Sequence, residues 1–375
     1  MLVVHVGNYK PDSANGVDKT IAGLIRHLPA AGIEVEVWHP TGRARKTQSR
    51  IEDGVTIYDL PVFRPLKPVC CLGGDARDFV RERAQSVDLL HLHSVFQGEN
   101  LRLSRLGIPY VVTPNGGYDP LVLSGRNRLA KAVWFKLCER PFLERAKLIQ
   151  AVSFPEREAM ATLALRTPVR YIPNGIDDTV LQRPAAPPSQ LSQFVFLGRL
   201  AIEQKGLDLL LQGYAKASAQ SPDLPPLVLA GPDFRGGLRQ LTALARDLGI
   251  AARIVFVGPV FGERKWELLS RARMLLHTSR WEGMPFALLE AMAIGRPALI
   301  TAATNIATDL SKARAGIVVA PDTDAIAEGL RQMASLPGET LDTMGQMARS
   351  MVKSTFAWPT IAGELGREYR AAVGD

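Results

Sequence analysis

Cysteine is nearly absent: the chain has three in 375 residues, Cys70, Cys71 and Cys138. Two are adjacent and none has metal-ligand spacing. No disulfide framework or zinc set is therefore expected, and the thiols read as reduced, in the cytoplasm. Long apolar runs are missing too. The longest are strand-length, too short for a membrane-spanning helix. The start, Met1-Leu-Val-Val-His-Val-Gly7, lacks the basic lead and apolar length of a signal peptide and reads as a first strand. A net charge of +8 raises the question of nucleic acid. The bases are spread along the chain and no nucleic-acid motif accompanies them, so no such partner is expected. His91 and His93 alternate on a strand with no further His or Cys to complete a site. They read as structural, as does His277 at another strand end, and no metal or other cofactor is expected.

What is present is an ordinary globular composition, 46% hydrophobic and 22% charged, in a chain long enough for two cores. Short apolar runs alternate with helical stretches. In the first half, strands are expected at 2–7, 33–39, 55–60, 89–93, 109–113, 148–153 and 169–172. Helices include 17–28 and 129–145. A breaker-rich stretch, Arg183-Pro-Ala-Ala-Pro-Pro-Ser-Gln190, reads as a linker. The pattern then restarts, with strands at 194–197, 227–230, 254–257, 274–277, 298–301 and 316–319. Apolar runs without strict alternation suit parallel strands covered on both faces. The fold class is therefore α/β, with two doubly wound Rossmann-like domains. The expected division is 1–178, a linker 179–192, 193–354, and a terminal helical segment 355–375. Ligands of such sheets bind at the carboxyl ends of strands, so the expected site is a cleft between two facing domains.

Chemistry concentrates in the second half. Glu282 and Glu290 bracket Glu282-Gly-Met-Pro-Phe-Ala-Leu-Leu-Glu290. Pro285 suits a first helical position, and Gly295 and Pro297 mark the stop. Both carboxylates then flank a helix mouth whose N–H groups suit an anion. Phosphate at the mouth and carboxylates for hydroxyl groups suit a sugar nucleotide. Phe194-Val-Phe-Leu-Gly-Arg-Leu200 ends a strand in Gly-Arg, and Lys205 follows at a helix start. Arg199 and Lys205 would offset a diphosphate and stabilise it further as it leaves. In the first half, Asn15-Gly16-Val17 precedes a helix, where Gly16 would let backbone approach a phosphate. Asp322-Thr-Asp324 reads as a helix cap rather than a metal pair.

The runs Ser279-Arg-Trp-Glu-Gly-Met-Pro285 and Leu289-Glu-Ala-Met-Ala-Ile-Gly-Arg-Pro297 closely resemble the signature of retaining family 4 glycosyltransferases, which have the GT-B fold. The resemblance covers most of the chain. It implies that Glu282 contacts the transferred sugar and Glu290 the nucleotide ribose. It also implies that Gly283, Met284, Pro285, Phe286, Ala287 and Leu288 hold sugar hydroxyls and diphosphate between them. Arg199 and Lys205 match the family's diphosphate-binding Gly-Arg-Leu…Lys-Gly element. Residues 193–354 become the donor side, 1–178 the acceptor side, and the last helix is expected to cross back onto the first domain. Many members have His where Thr113-Pro-Asn-Gly-Gly117 has Asn115. Asn can hydrogen-bond the sugar but cannot titrate. The family usually has Gly-Gly where this chain has Asn15-Gly16. Tyr171-Ile-Pro-Asn-Gly-Ile-Asp177 also matches and reads as a structural turn.

The implied activity is transfer of a hexosyl unit from a nucleoside diphosphate sugar, UDP- or GDP-linked, to a glycan or lipid-linked acceptor, as in cell-surface polysaccharide or glycoconjugate synthesis. Two rivals stay open: a sugar-nucleotide 2-epimerase of the same fold, and a non-catalytic sugar-nucleotide-binding protein. Arg126, Arg128, Lys131, Lys136, Arg140, Arg145 and Lys147 interleave with Trp134, Phe135 and Phe142. This segment reads as a surface helix or as a contact for anionic lipid or a phosphate-bearing acceptor. The second reading would place a cytoplasmic protein at the cytoplasmic face of the membrane.

Overall fold

In the computed structural model of the chain, the described residues are 1–10, 15–66, 69–118, 128–185, 193–282 and 284–374. They form two compact units: Met1–Gly175 with Trp358–Asp375, and Ile176–Ala357. The first hand-over falls three residues before the expected 178. The return falls at Trp358 rather than 355, because the helix Gly338–Thr355 continues through the expected boundary.

Unit 1 holds β1 (Leu2–Val6), β2 (Glu34–Thr41), β3 (Gln48–Glu52), β4 (Val55–Leu66), β5 (Val69–Leu72), β6 (Leu89–His93), β7 (Tyr110–Thr113), β8 (Leu148–Ala151) and β9 (Val169–Tyr171). The sheet runs β3-β4-β2-β1-β6-β7-β8-β9, with β5 paired to β4. The pairs from β4–β2 through β8–β9 are parallel, and β3 and β5 are antiparallel additions on β4. These two additions were not expected. β3 is polar and mostly exposed, so no apolar run marks it. Its turn is nonetheless written in the sequence. Asp53 and Gly54 both take positive φ, 50° and 78°, which suits a two-residue hairpin.

Unit 2 holds β10 (Gln193–Leu197), β11 (Leu227–Ala230), β12 (Ile254–Gly258), β13 (Ala272–His277), β14 (Ala298–Thr301) and β15 (Gly316–Val319). All pairs are parallel in the order β12-β11-β10-β13-β14-β15. This is the strand order of a dinucleotide-binding sheet, and its direction reverses between β10 and β13. Alternate residues feed two core layers: Val195 and Leu197 pack in one, Phe194 and Phe196 in the other.

The terminal helix Trp358–Val373 belongs to unit 1. Trp358 seats there because Gly23 and Gly175 have no side chain. A Cβ would come within 2.1 Å of the indole at Gly23 and within 2.3 Å at Gly175. Gly175, expected only to turn the chain, is thus required for close approach. The expected linker 179–192 begins as helix, Asp178–Leu181, capped by Asp177, and its residues 186–192 lie outside the described residues.

The expected helix 129–145 has three parts: Arg128–Trp134, a π-helical Phe135–Glu139, and Arg140–Arg145. Pro141 explains the change. It has no N–H, and its ring crowds the carbonyl four residues back. The widened turn relieves this, with Arg140 N–H bonding Phe135 O. Arg126 lies outside the described residues.

Candidate functional site

The carboxyl ends of β10 and β13 adjoin at the point where the unit 2 sheet reverses, the usual ligand position in such sheets. From β10 the chain continues through Arg199 to the short helix Ile202–Lys205. From β13 it continues through Thr278, Ser279 and Arg280 to Glu282. Both loops are braced. Arg280 makes a two-pronged pair with Asp208, at 2.9 and 2.7 Å. Its backbone N–H donates to Gln204 O at 2.9 Å. Asn305 Nδ2 donates to the Glu282 carbonyl. Gly206 sits at φ +60°, where a Cβ would meet Thr278 O at 2.1 Å, so only glycine lets the two loops touch.

Glu282 Oε2 is the hub. It takes the Lys205 ammonium and lies 3.0 Å from His277 Nε2 and 3.1 Å from Ser279 Oγ. Burial opposes ionisation of Glu282. The Lys205 charge and the His277 bond outweigh it and hold the carboxyl down at about 2. Burial also pushes His277 below its usual value, so its imidazole is neutral at pH 7. His277 is buried at the end of β13, as expected, and it also contacts the central carboxylate. Arg199 differs from Lys205. It is exposed, its Nη2 reaches Gln204 Oε1 at 3.4 Å, and it lies over the Phe234 ring. No carboxylate pairs with it among the described residues.

Glu290 sits in the helix Phe286–Ala293 and pairs with Lys265 Nζ at 2.9 Å. Lys265 was not singled out, because nothing in Gly-Glu-Arg-Lys-Trp266 marks it; tertiary packing alone brings it there. The helix begins at Phe286, so Pro285 is the residue before it, at ψ 73°, rather than its first residue. Phe286 N–H donates to Met284 O and Leu288 N–H to Pro285 O, which corrects the expectation that these groups point outward unbonded. The Leu288 side chain lies in the core. Met284, Phe286 and Ala287 are half-buried, and Gly283 lies outside the described residues.

In unit 1, Gly16 opens the helix Gly16–His27, capped by Asn15 Oδ1, which accepts from Val17 N–H at 3.0 Å. The first turn already carries an acid, Asp18, bonded to Asn8. Asn115 follows β7 at φ +55°, and its Nδ2 donates to Thr113 O at 3.1 Å. Asn and His are both enriched in this left-handed region, so the backbone accepts either. Two buried acids hold the loops around it. Glu156 accepts from Gly116 N–H at 2.6 Å and Val152 N–H at 2.7 Å. Glu139, at the π turn, accepts from Phe96 N–H, Tyr118 Oη and Trp134 Nε1. Burial pushes its carboxyl above the usual value.

His91 and His93 gain a third neighbour, His5, register partner of His91 across β1 and β6. Their nitrogens fall within metal-binding reach of one another, which corrects the two-histidine reading. The rings stack instead of converging edge-on: His91–His93 centroids are 4.1 Å apart at 29°. His91 is fully engaged in a chain from Tyr369 Oη through its ring to Thr113 Oγ1 and Gln150 Oε1. Burial pushes His5 down to about 3 and lowers His91 and His93 strongly. Asp322 caps its helix, accepting from Ala325 N–H at 2.8 Å, as expected.

Two α/β units built on largely parallel sheets, one with the reversing strand order, give the GT-B architecture, and the family matches make it that of a glycosyltransferase. The glycosyl transferases group 1 family matches residues 178–351, and Glycosyltransferase Family 4 matches residues 14–180. The chain belongs to the family 4 glycosyltransferases. The GDP-mannose:cellobiosyl-diphosphopolyprenol alpha-mannosyltransferase of Xanthomonas oryzae is 24% identical over all of this chain and 98% of its own length. The D-inositol 3-phosphate glycosyltransferase of Acidothermus cellulolyticus is 25% identical over 96% of this chain and 87% of its own. Among solved structures, sucrose-phosphate synthase from Thermosynechococcus elongatus superposes with a TM-score of 0.75 at 19% identity, covering 99% and 98% of the two chains. Anabaena HepE in complex with UDP and glucose gives 0.71 at 17%, covering 99% and 100%.

Proposed function

We propose that the chain is a retaining hexosyltransferase. It takes a nucleoside diphosphate sugar, UDP- or GDP-linked, and transfers the sugar to a glycan or lipid-linked acceptor in polysaccharide or glycoconjugate synthesis. The carrying observation is the pair of bases at the β10–β13 reversal: Lys205, held in place by Glu282, and Arg199, which pairs with no acid among the described residues. A diphosphate suits these cations, and they stabilise it more as it departs. Glu282 is assigned to the sugar, which becomes positive as its bond breaks, and Glu290, oriented by Lys265, to the ribose. Asn115 is assigned to hydrogen bonding in turnover, without a proton transfer. Relatives named for GDP-mannose and a diphosphopolyprenol, and a neighbour holding UDP, support this reading. No metal has a role in this reading.

The proposal includes peripheral contact with an anionic membrane. No described helix is long and apolar enough to cross a bilayer. Leu129, Val133 and Leu137, four residues apart, are 75%, 58% and 69% exposed, and exposed Lys136, Arg145 and Lys147 accompany them. Exposed leucines beside bases suit insertion at a lipid interface.

The test begins with a thermal-shift screen of UDP, GDP, ADP and dTDP. A ligand at 100 times its dissociation constant adds about 2.7 kcal/mol of stability. The protein is then incubated with labelled sugars on the stabilising nucleotide, with and without EDTA. Expected is transfer or slow hydrolysis with the anomer retained, unaffected by EDTA. An epimerised nucleotide sugar, or binding without turnover, would overturn the proposal.

A further inference from the structure

A cavity of about 350 Å³ opens in unit 1 between β5, the helix Gly74–Arg83 and the end of the helix Gly98–Leu103. Four arginines line it, Arg77, Arg81, Arg102 and Arg105, over an apolar floor that includes buried Val80; no acid is among its described lining residues. Arg77 and Arg81 stand one helical turn apart and so project from one side of their helix. Arg102 is fixed: its Nε donates to Cys70 O at 3.1 Å, and its Nη2 lies 4.0 Å from Cys71 Sγ. The side chains of Arg77, Arg81 and Arg105 make no hydrogen bond or ion pair among the described residues.

Several arginines elsewhere in the molecule are paired. Arg50, Arg64, Arg83, Arg183 and Arg280 each hold a carboxylate. Around this cavity the positive charges crowd together without one. Like charges converging on a concave, partly apolar surface raise the local potential and attract an anion. Guanidinium forks match phosphate oxygens in pairs, and the apolar floor suits the rest of a phosphorylated molecule.

We propose that this cavity binds a phosphoryl-bearing ligand, at a site separate from the diphosphate site proposed in unit 2. The phosphate could be free or could head a lipid; the recognition chemistry is the same. The test is calorimetric titration of the whole chain with inorganic pyrophosphate and, separately, farnesyl diphosphate. Four proteins are compared: wild type, Arg81→Ser/Arg105→Ser, Arg199→Ala, and Arg166→Ser/Arg367→Ser, which removes two exposed charges elsewhere in unit 1. In the first double variant the dissociation constant for the unit 1 event should rise about tenfold or more, the size of a lost charge-assisted hydrogen bond. That event should survive in Arg199→Ala, whose loss would test the unit 2 site alone. Tighter binding of farnesyl diphosphate than of pyrophosphate would identify a lipid-borne phosphate, and equal binding a free one. An unchanged titration in Arg81→Ser/Arg105→Ser would overturn the site. So would an equal loss in Arg166→Ser/Arg367→Ser, which would mean net charge alone attracts the probe. Because the substituted arginines are exposed, unchanged thermal midpoints should accompany both double variants.

Discussion

Glu282 and Lys205 show how two side chains far apart in sequence become one electrostatic unit. Each is about 10% exposed, so neither charge is well hydrated alone. Breaking such a pair from one side typically costs about 3–5 kcal/mol, because the remaining charge stays buried. Glu282→Gln and Lys205→Met should therefore each lower the urea midpoint. The double variant should lose clearly less than the sum, because the two changes share one interaction. Additive losses, or no loss in either single variant, would mean the pair is solvated. The residues of the candidate site were partly legible. Glu282, Glu290, Arg199 and Lys205 stood out because they cluster at strand ends and helix starts, where the ligands of such sheets bind. Lys265 and Ser279 did not, because their significance lies only in what they touch.

At the scale of an element, the helical segment 128–145 combines two functions of sequence pattern. One side is buried, with Phe142 and Leu143 in the core. The other carries Leu129, Val133 and Leu137 into solvent. Removing two leucines from a lipid interface forfeits about 1.5–3 kcal/mol each when fully buried there. Leu129→Ser/Leu137→Ser should thus cut co-sedimentation with anionic vesicles at least about tenfold, while the unfolding midpoint moves little. Unchanged partitioning would refute contact through this face. Helical content was readable from the pattern, but the break before Pro141 was not singled out. Which side faces outward was not readable, because the aromatic residues suggested a core face without saying which sheet they meet.

Across the molecule, buried histidines set the response to acid. His5, His91 and His93 are held neutral when folded, His5 down to about 3, and His277 is lowered as well. The unfolded chain protonates them near pH 6.5, so below that pH it binds more protons than the folded chain. Their stabilising contribution is intact above about 6.5 and falls as pH drops, by about 1.4 kcal/mol per unit for each imidazole. Glu282 adds to the same trend lower down. Its contribution is present above 4.5 and is lost toward about 2. Acid denaturation followed by circular dichroism should begin below pH 6.5. His93→Gln should flatten the slope of stability against pH between 6.5 and 5 by about one proton. An identical slope in that variant would show that His93 is protonated in the folded chain.

The sequence by itself determined the α/β alternation, most strand positions, the helix Phe286–Ala293 and the residues at the ends of β10 and β13. These depend on local periodicity, on breakers such as Gly295 and Pro297, and on short spacings, all of which a linear chain displays. Only the tertiary structure decided that Trp358 seats against Gly23 and Gly175, that His5 joins His91 and His93, that Lys265 meets Glu290, and that four arginines crowd one cavity with no acid among its described lining residues. Each of these depends on which strands become neighbours. Parallel neighbours are joined by long crossovers, so contacts across them bring together residues that no short sequence window contains.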